Sequence, residues 1–370
     1  MTIGMLLPGS KPIYGEITMK EPLGGTETYG IHMAEELAKS NRMYIFGDTY
    51  NHEFNGVTYV NICEYSKYAG LLDTLILSGS CGGHIDILSD VDTYSDIPNL
   101  MMWVHGAGIG GVSNPPESIY DIVDTIVYLS EWHRMSYNNE MMRVAGIDMN
   151  RCHAKGKVVT GFVPDRYAIR LPLEDRGDYV VYASVPTRGL SAFTRILPKL
   201  KVACPTLEVR SYSSFTTYSR AWDGEAAIVD SLEANPNYRY YSPVPFIDII
   251  DVIAHARAVV YPSLFRETMC YIATMAMRTG TPMVTSNLAA LSETATHSPY
   301  LIDVPDSNDN ELIAYVSGDE YAAEFTRRVS ELYHDSDKWE DESKRCYDSS
   351  TEFNISSCAR KFIGGTDESE

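Results

Sequence analysis

The strongest constraint on this chain is a rhythm. Short runs rich in Val, Ile, Leu, Met and Tyr recur at residues 2–7, 43–46, 57–61, 74–77, 100–104, 126–129 and 157–160. After a break they resume at 179–182, 207–210, 238–241, 258–261, 282–285 and 300–302. They do not alternate cleanly between apolar and polar residues, so they read as strands buried on both faces. Amphipathic helical segments lie between them. Strands alternating with helices imply parallel sheets in doubly wound domains, so the expected fold class is α/β.

At 370 residues the chain is too long for one ordinary core. The break at 164–178 holds two prolines, four acids and three arginines, the composition of a linker. The expected organisation is a first domain over 1–164, a linker over 165–177, a second domain over 178–338 and a helical tail over 339–370. The tail contains a weakly amphipathic piece at 355–363 that could pack back on the first domain. No repeat of 20 to 50 residues is evident.

Composition removes several classes of function. A hydrophobic content of 44% with 22% charged residues is that of a water-soluble globular chain. No apolar run is long enough to span a membrane, and residues 1–8 read as a first strand rather than a signal peptide. The seven cysteines are scattered and never in Cys-x-x-Cys spacing. That argues against a disulfide framework or a zinc site and fits a reducing cytosol. A net charge of −20 disfavours nucleic acid and anionic lipid as partners. The charge is uneven, because residues 134–220 carry fourteen Lys and Arg against seven Asp and Glu. A polyanionic ligand could sit near that basic third.

Four segments could carry chemistry. In Leu23-Gly24-Gly25-Thr26-Glu27 the paired glycines precede a helix expected to run to about Lys39, with Thr26 as its N-cap. Such a turn lets a ligand approach the backbone closely, although a Gly-Gly turn is often only a turn. In Trp103-Val104-His105-Gly106-Ala107-Gly108 a strand delivers His105 to its carboxyl end, where open α/β sheets bind ligands. In Ala183-Ser184-Val185-Pro186-Thr187-Arg188-Gly189-Leu190 a strand ends and a helix begins near Leu190. A cation at a helix N-terminus is unfavourable unless it meets an anion, so Arg188 suits a diphosphate. Finally, Tyr261-Pro262-Ser263-Leu264-Phe265-Arg266-Glu267 reads as a strand end and a loop, with Glu267 at the N-terminus of a helix reaching Arg278. As a dipole partner alone, Glu267 would contribute under about 1 kcal/mol.

Taken in order, these segments resemble the group-1, or family 4, glycosyltransferases of the GT-B fold from Leu23 to about Val304. The strongest part is similar to that family's Pro-Ser-x-x-Glu…Ala-Met-Ala-x-Gly-x-Pro-Val-Val stretch, through Pro262, Ser263, Glu267, Ala276, Met277, Gly280, Pro282 and Val284. Ser130-Glu131-Trp132 and Gly161-Phe162-Val163 also look like family landmarks, read here as architectural. The resemblance implies two Rossmann-like domains facing each other across a cleft, closing around the donor. It implies metal-independent transfer of a hexose-type sugar, with retention, from a UDP- or GDP-sugar to a glycan or other hydroxyl acceptor. No cofactor is implied.

By position, Gly24 and Gly25 would face donor phosphates or acceptor, and His105 the transferred sugar. Arg188 would neutralise the leaving diphosphate. Glu267, with the backbone of Thr268, Met269, Cys270 and Tyr271, would hold the sugar and its phosphate. The turn from Tyr241 to Val244 would bind the base.

Three departures stand out. Met275 occupies the place of a second glutamate that binds ribose hydroxyls. Cys270 replaces a glycine. The usual Arg–Lys pair is reduced to Arg188, with Ala183 or Ser184 at the other position and Arg257 or Arg266 as candidate substitutes. A degenerate nucleotide-sugar or glycan binding protein is therefore an alternative, and an epimerase a third reading. A dehydrogenase is excluded for want of the dinucleotide glycine fingerprint.

Overall fold

A computed structural model describes residues 1–79, 97–106, 122–146, 148, 150, 154–218, 223–295, 300–305 and 308–364. Ala107 and Gly108, just after His105, lie outside the described residues. The chain forms two compact units, residues 1–161 with 355–370, and residues 162–354.

The first unit contains β1 (Thr2–Leu6), β2 (Arg42–Gly47), β3 (His52–Phe54), β4 (Val57–Asn61), β5 (Thr74–Gly79), β6 (Asn99–Val104), β7 (Thr125–Tyr128) and β8 (Gly156–Val158). They form one sheet in the order β3-β4-β2-β1-β5-β6-β7-β8. Every pairing is parallel except β3 with β4. The strand β3 carries no apolar run of its own. It is the arm of a hairpin whose turn residues Asn55 and Gly56 have φ of 48° and 80°, the left-handed pair that tightens such a turn. The long helices here are α1 (Gly25–Leu37) and α2 (Glu131–Ala145).

The second unit contains β9 (Tyr179–Ala183), β10 (Glu208–Tyr212), β11 (Tyr238–Tyr241), β12 (Ala258–Tyr261), β13 (Met283–Asn287) and β14 (Leu301–Asp303). The order is β11-β10-β9-β12-β13-β14, all parallel. Its helices of eight or more residues are α3 (Phe193–Ala203), α4 (Glu225–Glu233), α5 (Phe246–Ala254), α6 (Tyr271–Arg278), α7 (Asp309–Val316), α8 (Asp319–His334) and α9 (Ser336–Ser349). Counted within the unit, this is the 3-2-1-4-5-6 order of the doubly wound fold. The chain builds outward from β9 to one edge, returns, and builds from β12 to the other. Loops leaving β9 and β12 therefore diverge, and the crevice between them is where such sheets bind ligands. In the first unit the equivalent reversal lies between β1 and β5.

The segment 165–177 is bound into the second unit rather than acting as a free connection. Arg176 is 9% exposed. Its guanidinium donates to the carbonyls of Leu171 (3.1 Å), Ala256 (3.0 Å), Thr279 (2.9 Å) and Gly280 (3.2 Å), and to Thr281 Oγ1 (2.7 Å). It also lies 4.8 Å over the Trp339 ring. Burial pulls its pKa down to about 10, so it keeps its charge. Arg170 donates to Ser343 Oγ at 3.0 Å and pairs with Glu340. Trp339, fully buried, donates to the Arg257 carbonyl at 2.7 Å, which ties α9 to this unit. The helix that belongs to the first unit is α10 (Ile355–Phe362). There Phe362 meets Trp103 edge-on, Ser356 bonds Glu36, and Lys157 donates to the Phe362 carbonyl at 2.6 Å.

Arg176→Met would strand several buried carbonyls. It is expected to destabilise the second unit by about 3 kcal/mol, read as an earlier transition in urea unfolding. A loss below about 1 kcal/mol would mean the cage is dispensable.

Candidate active site

In the second unit the two site loops leave the adjacent strands β9 and β12. After Ala183 the chain makes a 3-10 turn, Pro186–Arg188, and a second one before α3 begins at Phe193. Arg188 thus precedes the α-helix by a whole turn, further out than the sequence suggested. After Tyr261 the chain runs through a bent loop to Cys270, the N-cap of α6, which starts at Tyr271. Glu267 is therefore in the loop and not in the first helical turn. Its carboxylate is placed by side chains, not by a helix dipole.

Those side chains are specific. Arg188 Nη1 donates to Glu267 Oε1 at 3.0 Å and Oε2 at 3.3 Å. The Tyr261 hydroxyl donates to Oε1 at 2.6 Å. Glu267 is 7% exposed, so the pair is well shielded on its acidic side. The Arg188 guanidinium also lies 4.1 Å from the centre of the Phe265 ring. The loops are laced at backbone level, where Leu264 N–H donates to the Arg188 carbonyl at 3.1 Å. Gly189, at φ +143°, comes so close that a Cβ there would lie 2.1 Å from the Pro262 carbonyl oxygen. Only glycine meets both demands.

The family pattern puts two residues between serine and glutamate, whereas here three separate Ser263 from Glu267. Ser263 folds the surplus back, its hydroxyl donating to the Phe265 carbonyl (3.0 Å) and accepting from Phe265 N–H (3.2 Å). Arg266 pairs with Asp309. Arg257 pairs with Asp178 at 3.0 Å. The two candidate replacement cations are thus engaged elsewhere.

Cys270 has φ 88° and ψ 92°, a conformation costing a non-glycine residue of order 1–3 kcal/mol. Its thiol is buried and pushed up in pKa by desolvation, then by Glu267, so it is not a nucleophile. Met269 is buried, its carbonyl accepting from Thr294 at 2.7 Å. The Tyr271 ring stacks on Phe246 with centroids 5.6 Å apart, and Thr268 is half-buried. Met275 is 2% exposed within the core, so it offers no contact to a ligand. Tyr241 is 38% exposed and stacks on Tyr212 at 4.9 Å. With half-buried Val244, it sits at the end of β11, two strands from β9.

Gly24, Gly25 and His105 belong to the first unit. Gly24 is the N-cap of α1, and Gly25 its first residue. Thr26, expected as the cap, instead lies inside the first turn. A Cβ on Gly25 would meet nothing within 4 Å, so the turn is open on that side. Glu27 is buried and accepts from Ser10 N–H at 3.2 Å, tying down the loop after β1. His105 follows β6 directly, with Nε2 3.2 Å from Ser78 Oγ and its ring against Trp103.

One residue escaped the sequence reading. His133 is fully buried. Leu129 N–H donates to its Nδ1 at 3.2 Å, which leaves the proton on Nε2 to bond the Gly106 carbonyl at 2.8 Å. It therefore holds the turn just after His105. The available signal was its place after Ser130, whose hydroxyl caps α2 by accepting from His133 N–H. Burial lowers its pKa to about 4. Among the described residues, no group of three His, Cys, Asp or Glu could hold a metal ion, five cysteines are free, and no helix is long and apolar enough to cross a membrane.

Residues 180–335 match the family model described as glycosyl transferases group 1. No curated protein matches the chain. Among solved structures, sucrose-phosphate synthase from Thermosynechococcus elongatus is similar, with a TM-score of 0.67, 11% identity and 98% of each chain covered. The Anabaena protein HepE in complex with UDP-glucose gives a TM-score of 0.64 at 11% identity, again with 98% of each chain covered. A trehalose 6-phosphate synthase from Burkholderia multivorans gives 0.63 at 11% identity, over 98% of this chain and 97% of that one. The architecture is the GT-B one, with two Rossmann-like domains.

Gly189→Ala would drive the site loops apart, with an expected cost above about 3 kcal/mol in thermal or urea unfolding; a neutral result would contradict the close approach. His133 gives a pH signature. Its folded-state pKa lies below the unfolded value of about 6.5, so the unfolded chain takes the proton first as pH falls. The contribution is complete above about pH 6.5 and drains towards about pH 4. His133→Gln should flatten the stability–pH curve in that window by about 2 kcal/mol, and parallel curves would show that His133 does not titrate this way.

Proposed function

We propose that this protein is a retaining glycosyltransferase, because residues 180–335 match the group 1 glycosyltransferase model and the fold is the GT-B one. It moves a hexose-type sugar from a UDP- or GDP-sugar to a glycan or other hydroxyl acceptor, without a metal. The observation that carries this reading is the Arg188–Glu267 pair at the reversal point between β9 and β12.

The chemistry follows from that pair. As the sugar–phosphate bond breaks, negative charge builds on the departing diphosphate. The Arg188 guanidinium stabilises it, and the N-terminal amides of α6 add their dipoles. Glu267 accepts hydrogen bonds from sugar hydroxyls and holds the ring while the bond opens. The acceptor hydroxyl attacks from the face the diphosphate leaves, and its proton passes to a departing phosphate oxygen. Thr268, Met269, Cys270 and Tyr271 supply backbone around sugar and phosphate, and Tyr241 and Val244 border the base. Within the first unit, Gly24 and Gly25 lie at an open turn and His105 just after a strand, each suited to meet phosphate, acceptor or sugar oxygens as the resemblance implies. The described cysteines being free supports a cytosolic protein.

The alternative is a nucleotide-sugar binding protein without turnover. Buried Met275 and strained Cys270 favour it, since both depart from the family pattern, Met275 where a ribose-binding glutamate is expected and Cys270 where a glycine is expected in the loop after Glu267.

Arg188→Ala and Glu267→Ala should each reduce kcat by two or more orders of magnitude, about 3 kcal/mol of transition-state stabilisation. The donor is first identified by thermal-shift screening of UDP-, GDP-, dTDP- and ADP-sugars. Near-normal turnover in both variants would overturn the site, and donor binding without any transfer or hydrolysis would favour the binding protein.

A further inference from the structure

Two buried tyrosines sit side by side beneath the Arg188–Glu267 pair, one from each strand at the reversal point. Tyr182 is on β9 and Tyr261 ends β12, with ring centroids 5.9 Å apart and exposures of 0% and 3%. Each sends its hydroxyl into the loop that its own strand feeds. Tyr182 donates to the Val185 carbonyl at 2.8 Å. That same carbonyl accepts the Arg188 N–H at 3.1 Å and so closes the 3-10 turn that presents the guanidinium. Tyr261 donates to Glu267 Oε1 at 2.6 Å, the oxygen that also takes the shorter Arg188 contact.

We propose that Tyr182 and Tyr261 are paired positioning residues, Tyr182 fixing the turn that aims Arg188 and Tyr261 fixing the carboxylate of Glu267. This rests on the glycosyltransferase reading of the site. Its consequence is a division of labour on binding. A diphosphate competes with Glu267 for the guanidinium, and a carboxylate held by arginine alone would be released as arginine turned. Tyr261 keeps Oε1 anchored through that exchange, so Oε2 stays directed at ligand hydroxyls. Desolvation holds both phenols far above their ordinary pKa, so they remain neutral donors across the working pH range. A lysine or arginine in their place would compete with Arg188 for the diphosphate, whereas a phenol does not. A burial-only role would be met by phenylalanine, which keeps ring packing and removes only the donor.

The test uses Tyr182→Phe and Tyr261→Phe in double-mutant cycles, because both substitutions also strand a buried acceptor and cost some stability. Tyr261→Phe is expected to lower kcat/KM about tenfold in the wild-type background and less than twofold in Glu267→Ala. Tyr182→Phe should behave likewise, about tenfold alone and less than twofold in Arg188→Ala. The drop in melting temperature should be similar in both backgrounds for Tyr182→Phe, and smaller for Tyr261→Phe in Glu267→Ala, where no carboxylate is left to strand; a loss of kcat/KM in variants still folded at the assay temperature separates positioning from support of the fold. Equal losses of kcat/KM in both backgrounds, or no loss at all, would overturn the proposal while leaving the enzyme reading intact. Failure of the wild-type protein to bind or turn over any of UDP-, GDP-, dTDP- or ADP-glucose would overturn the enzyme reading itself, and the tyrosine roles with it.

Discussion

The second unit is organised around opposite charges brought together from loops seventy-nine positions apart, Arg188 and Glu267. An ion pair with one member 7% exposed is a doubtful source of stability. Desolvating the carboxylate costs several kcal/mol, and the Coulomb attraction repays it only with good geometry and further hydrogen bonds. Here the further bond comes from Tyr261. A pair of apolar side chains would satisfy the fold as well, so the charges are better explained by a ligand carrying charge of its own. The diphosphate proposed above would be such a ligand, received in the crevice at the reversal of strand order between β9 and β12.

Each of the same two loops carries one residue at positive φ. Gly189 at φ +143° and Cys270 at φ +88° lie on opposite loops of one site. Gly189 is forced by contact, since no side chain fits against Pro262. Cys270 is tolerated, its thiol buried in the core while its backbone adopts a conformation usually left to glycine. Strain of this kind persists where the surroundings over-determine the conformation, and it clusters at binding sites. Ser263 adds a further device, folding back the residue that makes this loop longer than the family pattern.

Much of the fold was legible because buried parallel strands are continuous apolar runs. The runs at 57–61, 238–241 and 258–261 coincide with β4, β11 and β12. The β3 strand was missed because its three residues carry no such run, although Asn55-Gly56 marked its turn. Helix starts were less legible. Thr26 and Glu267 have the residue types of a helix start, yet the chain begins α1 at Gly25 and α6 at Tyr271, because close backbone packing and the Arg188 contact decide where the loops end. Likewise the charged, proline-bearing segment 165–177 reads as a linker. Its Arg176 is sequestered by carbonyls and an indole that lie eighty to over one hundred and sixty residues away.

Sequence alone set the α/β class, the strand rhythm, and the residue types at 24, 25, 105, 188 and 267, since these follow from local periodicity and from what glycine, histidine and charged side chains can do. Tertiary structure alone made β9 and β12 neighbours, and with that gave Glu267 its partners, Tyr182 and Tyr261 their common purpose, and His133 its hold on the turn after His105. The physical reason is that a strand's burial is written in its own residues, whereas its neighbours are chosen by pairing across the whole sheet.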